Sequence, residues 1–198
     1  MARRPTRNLP TVLIPGIGGA TTPGHWLRWL LDELNAAGRE VVWVEFADVE
    51  YPSPQPWLAT LRAAIAPLPD EGYDVVAHSM GAVGWLHHIA SADGSPRPDR
   101  VALVAPADPE VLVGTGNLSE WVPVPLDVHA VRRSAEGTVL VGGENDPWSP
   151  EGIALTYGRP LKMATTVIPG AAHLNVADGH GEWPAVLDWC NRDNLAFY

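Results

Sequence analysis

"YDVVAHSMGAVGW" (residues 73–85) starts as a continuous apolar run and ends as an Ala-, Gly- and Trp-rich segment. The first half has the pattern of a strand buried on both faces, the second that of a helix apolar nearly all round. Ser79 stands at the junction, with Ala77 two residues before it and Gly81 two after. A serine on a sharp strand-to-helix turn is the nucleophile-elbow arrangement, whose usual form is Gly-x-Ser-x-Gly. Ala77 departs from that form. The remainder of the chain must decide whether Ser79 is a nucleophile or only the cap of the following helix.

Five further runs resemble the first: "TVLIPG" (11–16), "EVVWVEF" (40–46), "RVALVAP" (100–106), "TVLVGG" (138–143) and "TTVIPG" (165–170). Helical spacing lies between most of them. Residues 25–37 carry Trp26, Leu27, Leu30, Leu31 and Leu34 on one broad face, and Gly38 follows as a C-terminal cap. Pro56 suits the first turn of a helix with a stripe of Trp57, Leu58, Leu61 and Ile65. A third helix runs over 80–92, and a last one over 182–191 has Pro184 in its first turn. Strand–helix alternation with right-handed crossovers gives an α/β fold: a parallel sheet of about six strands, doubly wound by helices. One domain over residues 1–198 is expected, with a frayed tail at 1–8. Pro106, Pro109, Pro123 and Pro125 mark residues 105–137 as an irregular excursion, a candidate partial lid in a chain with no room for a full cap domain.

The net charge of −10 argues against nucleic acid, which requires a basic stripe. Arg3, Arg4 and Arg7 are followed by no apolar leader core, and no run reaches membrane-spanning length. Cys190, the single cysteine, excludes an internal disulfide and reads as a buried helix position, in keeping with a reducing cytoplasm.

In an open parallel sheet, ligands bind at the carboxyl ends of the strands. Ser79 follows the third run, Asp108 the fourth, Asp146 the fifth and His173 the sixth. The order Ser79, Asp146, His173 is that of an α/β-hydrolase triad. Each has a plainer reading: a helix cap for Ser79, a turn organiser for Asp146, a surface loop for His173. Either aspartate could reach His173. Asp146 is preferred, because it ends the neighbouring strand and is fixed in a turn before Pro147; Asp108 then caps the next turn or lines the pocket. The amides of Met80 and Ile17 are the candidate oxyanion donors. Gly16, Trp26 and Trp148 are candidate substrate contacts beside Asp108. His78 is read as structural, on the other side of its strand, and His87 and His88 as solvated. His25, His129 and His180 have no metal-ligand spacing, so no metal is expected. "GIGGAT" (16–21) lacks the G-x-G-x-x-G spacing of a dinucleotide site.

The blocks "LIPGIGG" with "HW", "VVAHSMGA", "LVAPAD", "GGENDPW" and "GAAHLNVADGHGEWP" run from residue 12 to about 190. In these the chain resembles the small serine-hydrolase family of YdeN and retinoblastoma-binding protein nine, minimal members of the α/β-hydrolase superfamily. The resemblance implies Ser79 as nucleophile, His173 as base and Asp146 as its orienting acid, and it implies no cofactor. The chain departs from the family at Ala77, where glycine is usual, and in the longer segment around residues 110–135. The expected activity is hydrolysis of small carboxylic esters or related acyl compounds through an acyl-enzyme. Two alternatives remain: a protein-binding module on a hydrolase scaffold, although no protein partner is indicated, or an acyltransferase, amidase or perhydrolase with the same triad.

Overall fold

Every one of the six apolar runs contributes a strand. The computed structural model describes residues 8–69, 72–91, 97–191 and 197, so nearly all of the tail expected at 1–8 lies outside the described residues. The strands are β1 (Thr11–Ile14), β2 (Val41–Trp43), β3 (Asp74–His78), β4 (Arg100–Val104), β5 (Gly137–Gly143) and β6 (Ala164–Ile168). They form one sheet in the order β2-β1-β3-β4-β5-β6, with every neighbouring pair parallel. Central β1, β3 and β4 are buried along their whole length. The edge strands β2 and β6 are partly exposed, because each has one neighbour fewer to cover it.

The period of two in a strand divides the apolar side chains between two cores. Val12, Ile14, Val75, Ala77, Val101, Leu103 and Leu140 face one cluster. Leu13, Val76, Ala102, Val104, Val139 and Val141 face the other. Helices α2 (Pro54–Ile65), α3 (Met80–Ser91) and α5 (Val128–Ser134) cover the first face. Helices α1 (Trp26–Ala36) and α7 (Pro184–Asn191) cover the second, and the short α6 (Arg159–Leu161) leads into β6. The stripes are those anticipated: Trp26, Leu27, Leu30 and Leu34 are buried in α1, and Trp57, Leu61 and Ile65 in α2. Cys190 is buried in α7, and loss of water pushes its thiol up to about 12.

Two local expectations need correction. Residues 105–137 are not irregular throughout. Helix α4 (Pro109–Val113), a 3-10 segment (Gly116–Trp121) and α5 occupy much of the stretch. Asp108 and Asp127 cap α4 and α5 by accepting from backbone N–H groups, and Pro109 sits in the first turn of α4. Trp121 is fully buried and donates its indole N–H to the Pro52 carbonyl. His88 is not solvated either. It lies buried against Trp85, and burial together with Arg62 pushes its pKa down to about 4. His87 is half-buried beside Trp121.

At the amino ends of the central strands, Arg100 donates from Nε to Asp74 Oδ1 at 3.1 Å and from Nη2 to Oδ2, and both residues are buried. The guanidinium also lies 4.3 Å from the ring of Trp189. Removing one partner leaves a buried, uncompensated charge. Asp74→Ala should therefore lose about 3–5 kcal/mol in urea unfolding at neutral pH; a loss below about 1 kcal/mol would contradict this account of the pair.

Candidate active site

The sheet order reverses between β1 and β3, since β1 connects to β2 on one side while β3 lies on the other. Such a switch point opens a crevice at the carboxyl ends of the two strands. The loop Gly16–Ile17 leaves β1 there, and Ser79 leaves β3.

Ser79 has φ +54°, a left-handed conformation that a non-glycine residue holds only where its surroundings force it. The surroundings are specific. Its N–H donates to the Val104 carbonyl at 2.8 Å, and its carbonyl accepts from Ala82 and Val83 to start α3. A Cβ at Gly81 would stand 2.6 Å from the carbonyl oxygens of both Ile14 and Pro15, so only glycine fits two residues after Ser79. A Cβ at Gly16 would come within 2.8 Å of the Ser79 Cβ. Ala77 meets no such barrier. It is fully buried in β3, paired in register with Ile14 and Leu103, and belongs to the same core cluster as Val12 and Met80. The departure from the Gly-x-Ser-x-Gly form thus falls on the side of the turn where a methyl is packed.

Ser79, His173 and Asp146 form one hydrogen-bonded line. The Ser79 Oγ lies 2.9 Å from His173 Nε2, and His173 Nδ1 lies 2.9 Å from Asp146 Oδ2 and 3.0 Å from Oδ1. A carboxylate only accepts, so Nδ1 carries the proton and the Nε2 lone pair faces the hydroxyl. Asp146 is held in turn by the Trp148 N–H, which donates to Oδ1 at 2.8 Å. All three residues are buried. A Cβ at Gly143 would lie 2.2 Å from the Ala172 carbonyl, so the end of β5 approaches the His173 loop closely.

Other candidate residues fall elsewhere. Asp108 joins no contact with His173; its Oδ1 caps α4 by accepting from Glu110, and its Oδ2 accepts from Thr156. Trp26 is fully buried and donates its indole N–H to the Leu174 carbonyl at 2.8 Å, so it is a core residue and no cavity wall. Gly16 acts as a contact for the elbow. Ile17, Met80 and Trp148 do line the cavity in front of Ser79, which measures about 320 Å3. The loop amides of Ile17 and Met80 are bonded to no backbone carbonyl in the turns, among the described residues. The sequence reading missed His25, Thr21, Asn175 and Val176, which also line the cavity. It also placed His78 away from the site, whereas its ring stands between His25 and His173, 5.4 and 5.3 Å away, and borders the cavity.

These neighbouring imidazoles are kept neutral. Burial first, with His180 and Arg28 adding repulsion, pushes His25 down to about 4. Burial and the nearby His173 hold His78 well below the ordinary histidine range. Among the described residues no cluster suited to a metal ion is present.

Six parallel strands in one sheet, with a serine at the tight turn after β3, define a minimal α/β-hydrolase fold. The chain belongs to the serine hydrolase family, whose model matches residues 11–192. It is similar in structure to the ydeN gene product of B. subtilis (TM-score 0.77, 21% identity, covering 91% of this chain and 96% of that one). A YdeN-like hydrolase of Pectobacterium atrosepticum gives TM-score 0.67 at 18% identity, over 92% and 88% of the two chains. A carboxylesterase structure from the thaumarchaeon Nitrososphaera gargenis gives 0.62 at 15%, over 84% of each. No curated protein matches significantly.

Two outcomes follow from this geometry. Ala77→Gly should remove a packed methyl and add unfolded-state freedom, lowering stability by about 1–2 kcal/mol. Its esterase rate should not rise, and a faster, equally stable variant would show that the methyl hinders the elbow. The second outcome concerns pH. Unfolded histidines titrate near 6.5, whereas folded His25 and His88 do so near 4, so between these values the unfolded chain binds more protons and stability falls as pH falls. The melting temperature should drop steadily from pH 7 to pH 5; a flat profile would contradict the burial of neutral imidazoles.

Proposed function

For this member of the serine hydrolase family we propose Ser79 as nucleophile, His173 as general base and acid, and Asp146 as the carboxylate that orients it. The substrates are small, uncharged carboxylic esters or related acyl compounds. Ser79 Oγ attacks the carbonyl carbon as its proton passes to His173 Nε2, and Asp146 stabilises the imidazolium. The tetrahedral oxyanion rests on the amides of Met80 and Ile17, the first of them at the start of α3 where the helix dipole favours negative charge. His173 then returns the proton to the leaving alcohol, and water repeats the cycle in reverse to free the acid.

One observation carries this reading: the unbroken line from Asp146 through His173 to Ser79, with both links at 2.9 Å. The choice of uncharged substrates is supported by the cavity lining, which has no Asp, Glu, Lys or Arg among its described residues and whose His25 and His78 are neutral near neutral pH. Its volume of about 320 Å3 is at the small end for ligand pockets. A cytoplasmic setting accords with the buried, unpaired Cys190. No helix among the described residues is long and apolar enough to cross a membrane.

Ser79→Ala should abolish turnover of a short aryl ester and labelling by a fluorophosphonate, with the melting temperature nearly unchanged. Asp146→Asn leaves the imidazole in the wrong tautomer and should lower kcat by up to roughly four orders of magnitude. Asp108→Asn, at a position whose carboxylate accepts from the Glu110 N–H and the Thr156 hydroxyl, should cost about tenfold or less. An inactive Asp108→Asn beside an active Asp146→Asn would assign the acid to the wrong aspartate.

A further inference from the structure

His173 sits between two strained residues, Ala172 at φ +44° and Leu174 at φ +56°. Left-handed non-glycine backbone of this kind persists only where external contacts over-determine it. Three side chains supply those contacts, each from a different part of the chain. Asp178 Oδ2 accepts from the His173 N–H at 3.0 Å, and Asp178 is itself tied to Asn175 in a reciprocal capping box. Trp26 donates its indole N–H to the Leu174 carbonyl. His78 Nε2 lies 3.2 Å from the His173 carbonyl oxygen; a carbonyl only accepts, so Nε2 carries the proton and donates. Both backbone groups of His173 are therefore clamped, independently of the two bonds made by its ring.

We infer that His78 is a positioning residue for the reaction: its bond to the His173 carbonyl sets the base relative to the nucleophile. The covalent connection makes this effective. His78 is the last residue of β3 and Ser79 is the next, so one rigid segment fixes the serine and reaches 95 residues along the chain to hold the base. The ring has little freedom of its own, because it is buried edge-on to Trp26 at 5.4 Å and to His25 at 5.4 Å. This gives the "HW" block a task as well, since Trp26 supplies the second clamp and His25 the packing for the first. It differs from a packing role, which would need only the volume of the ring.

The inference rests on the triad reading, and the test separates the two. His78→Met and His78→Gln have similar volume and differ chiefly in the N–H donor. His78→Met should lower kcat for a short aryl ester roughly 10–100-fold with KM within about twofold, as a displaced base does. His78→Gln should recover to within about fivefold of wild type. An activity-independent signature is the low-field proton resonance of the His173–Asp146 bond, which should be sharp in wild type and the Gln variant and lost or shifted in the Met variant. His78→Leu also removes the donor and should give the same spectral change; it serves if His78→Met does not fold. A Met variant with wild-type kcat and an unchanged resonance overturns the inference, as do Met and Gln variants impaired equally. Failure of wild-type protein to react with a fluorophosphonate would instead sink the triad reading, and the resonance would still report on the clamp.

Discussion

The site depends on one steric constraint, the contact between the end of β1 and the turn at Ser79. The carbonyls of Ile14 and Pro15 press on Gly81, and Gly16 presses on Ser79 itself. With the backbone this close, the chain cannot leave β3 gradually; it must turn through the left-handed conformation at Ser79. That conformation costs of order 1–3 kcal/mol. Burial of α3 offsets it, because Met80, Ala82, Val83, Trp85 and Leu86 are almost completely covered. The same contact places the Ile17 loop beside the serine and starts α3 with Met80 directly after it. The candidate nucleophile and the candidate oxyanion donors are thus consequences of a single close approach.

The sheet was legible because central strands need apolar residues on both faces, and continuous runs such as "VVAH" have few other uses. The edges read less well. "EVVWVEF" suggested seven strand residues and only Val41–Trp43 pair, since an edge strand is held from one side. The prolines of residues 105–137 suggest an irregular excursion, whereas two short helices and a 3-10 segment occupy much of it. Pro109 marks the first turn of a helix when an aspartate precedes it, and Asp108 with Pro109 is that signal. His88 was misplaced for a related reason: polarity suggested solvent, while α3 is so deeply set that most of its circumference is covered.

Within the site, Ser79, Asp146 and His173 could be located because each stands just past a strand, and strand ends in a parallel sheet share one edge. Their support was not legible. Trp26 meets Leu174 across 148 residues and His78 meets the His173 carbonyl across 95, through backbone acceptors that carry no residue-type signal. A tryptophan that donates to a carbonyl looks, in sequence, the same as one that lines a pocket. The loop Asn175–Ala177 escaped notice likewise, because its place beside the cavity follows from the turn at Leu174 rather than from its composition.

The cluster of imidazoles also bears on how the proposed base works. His25 and His78 each lose affinity for a proton partly through His173, so charge on one opposes charge on the others. A cationic His78, 5.3 Å from His173, would resist the protonation that acyl transfer demands of the base. Desolvation prevents this by holding both neighbours neutral, whereas His173 alone has a carboxylate against its ring to accept the charge. The ring that holds a carboxylate on one nitrogen is thus the ring that meets Ser79 with the other.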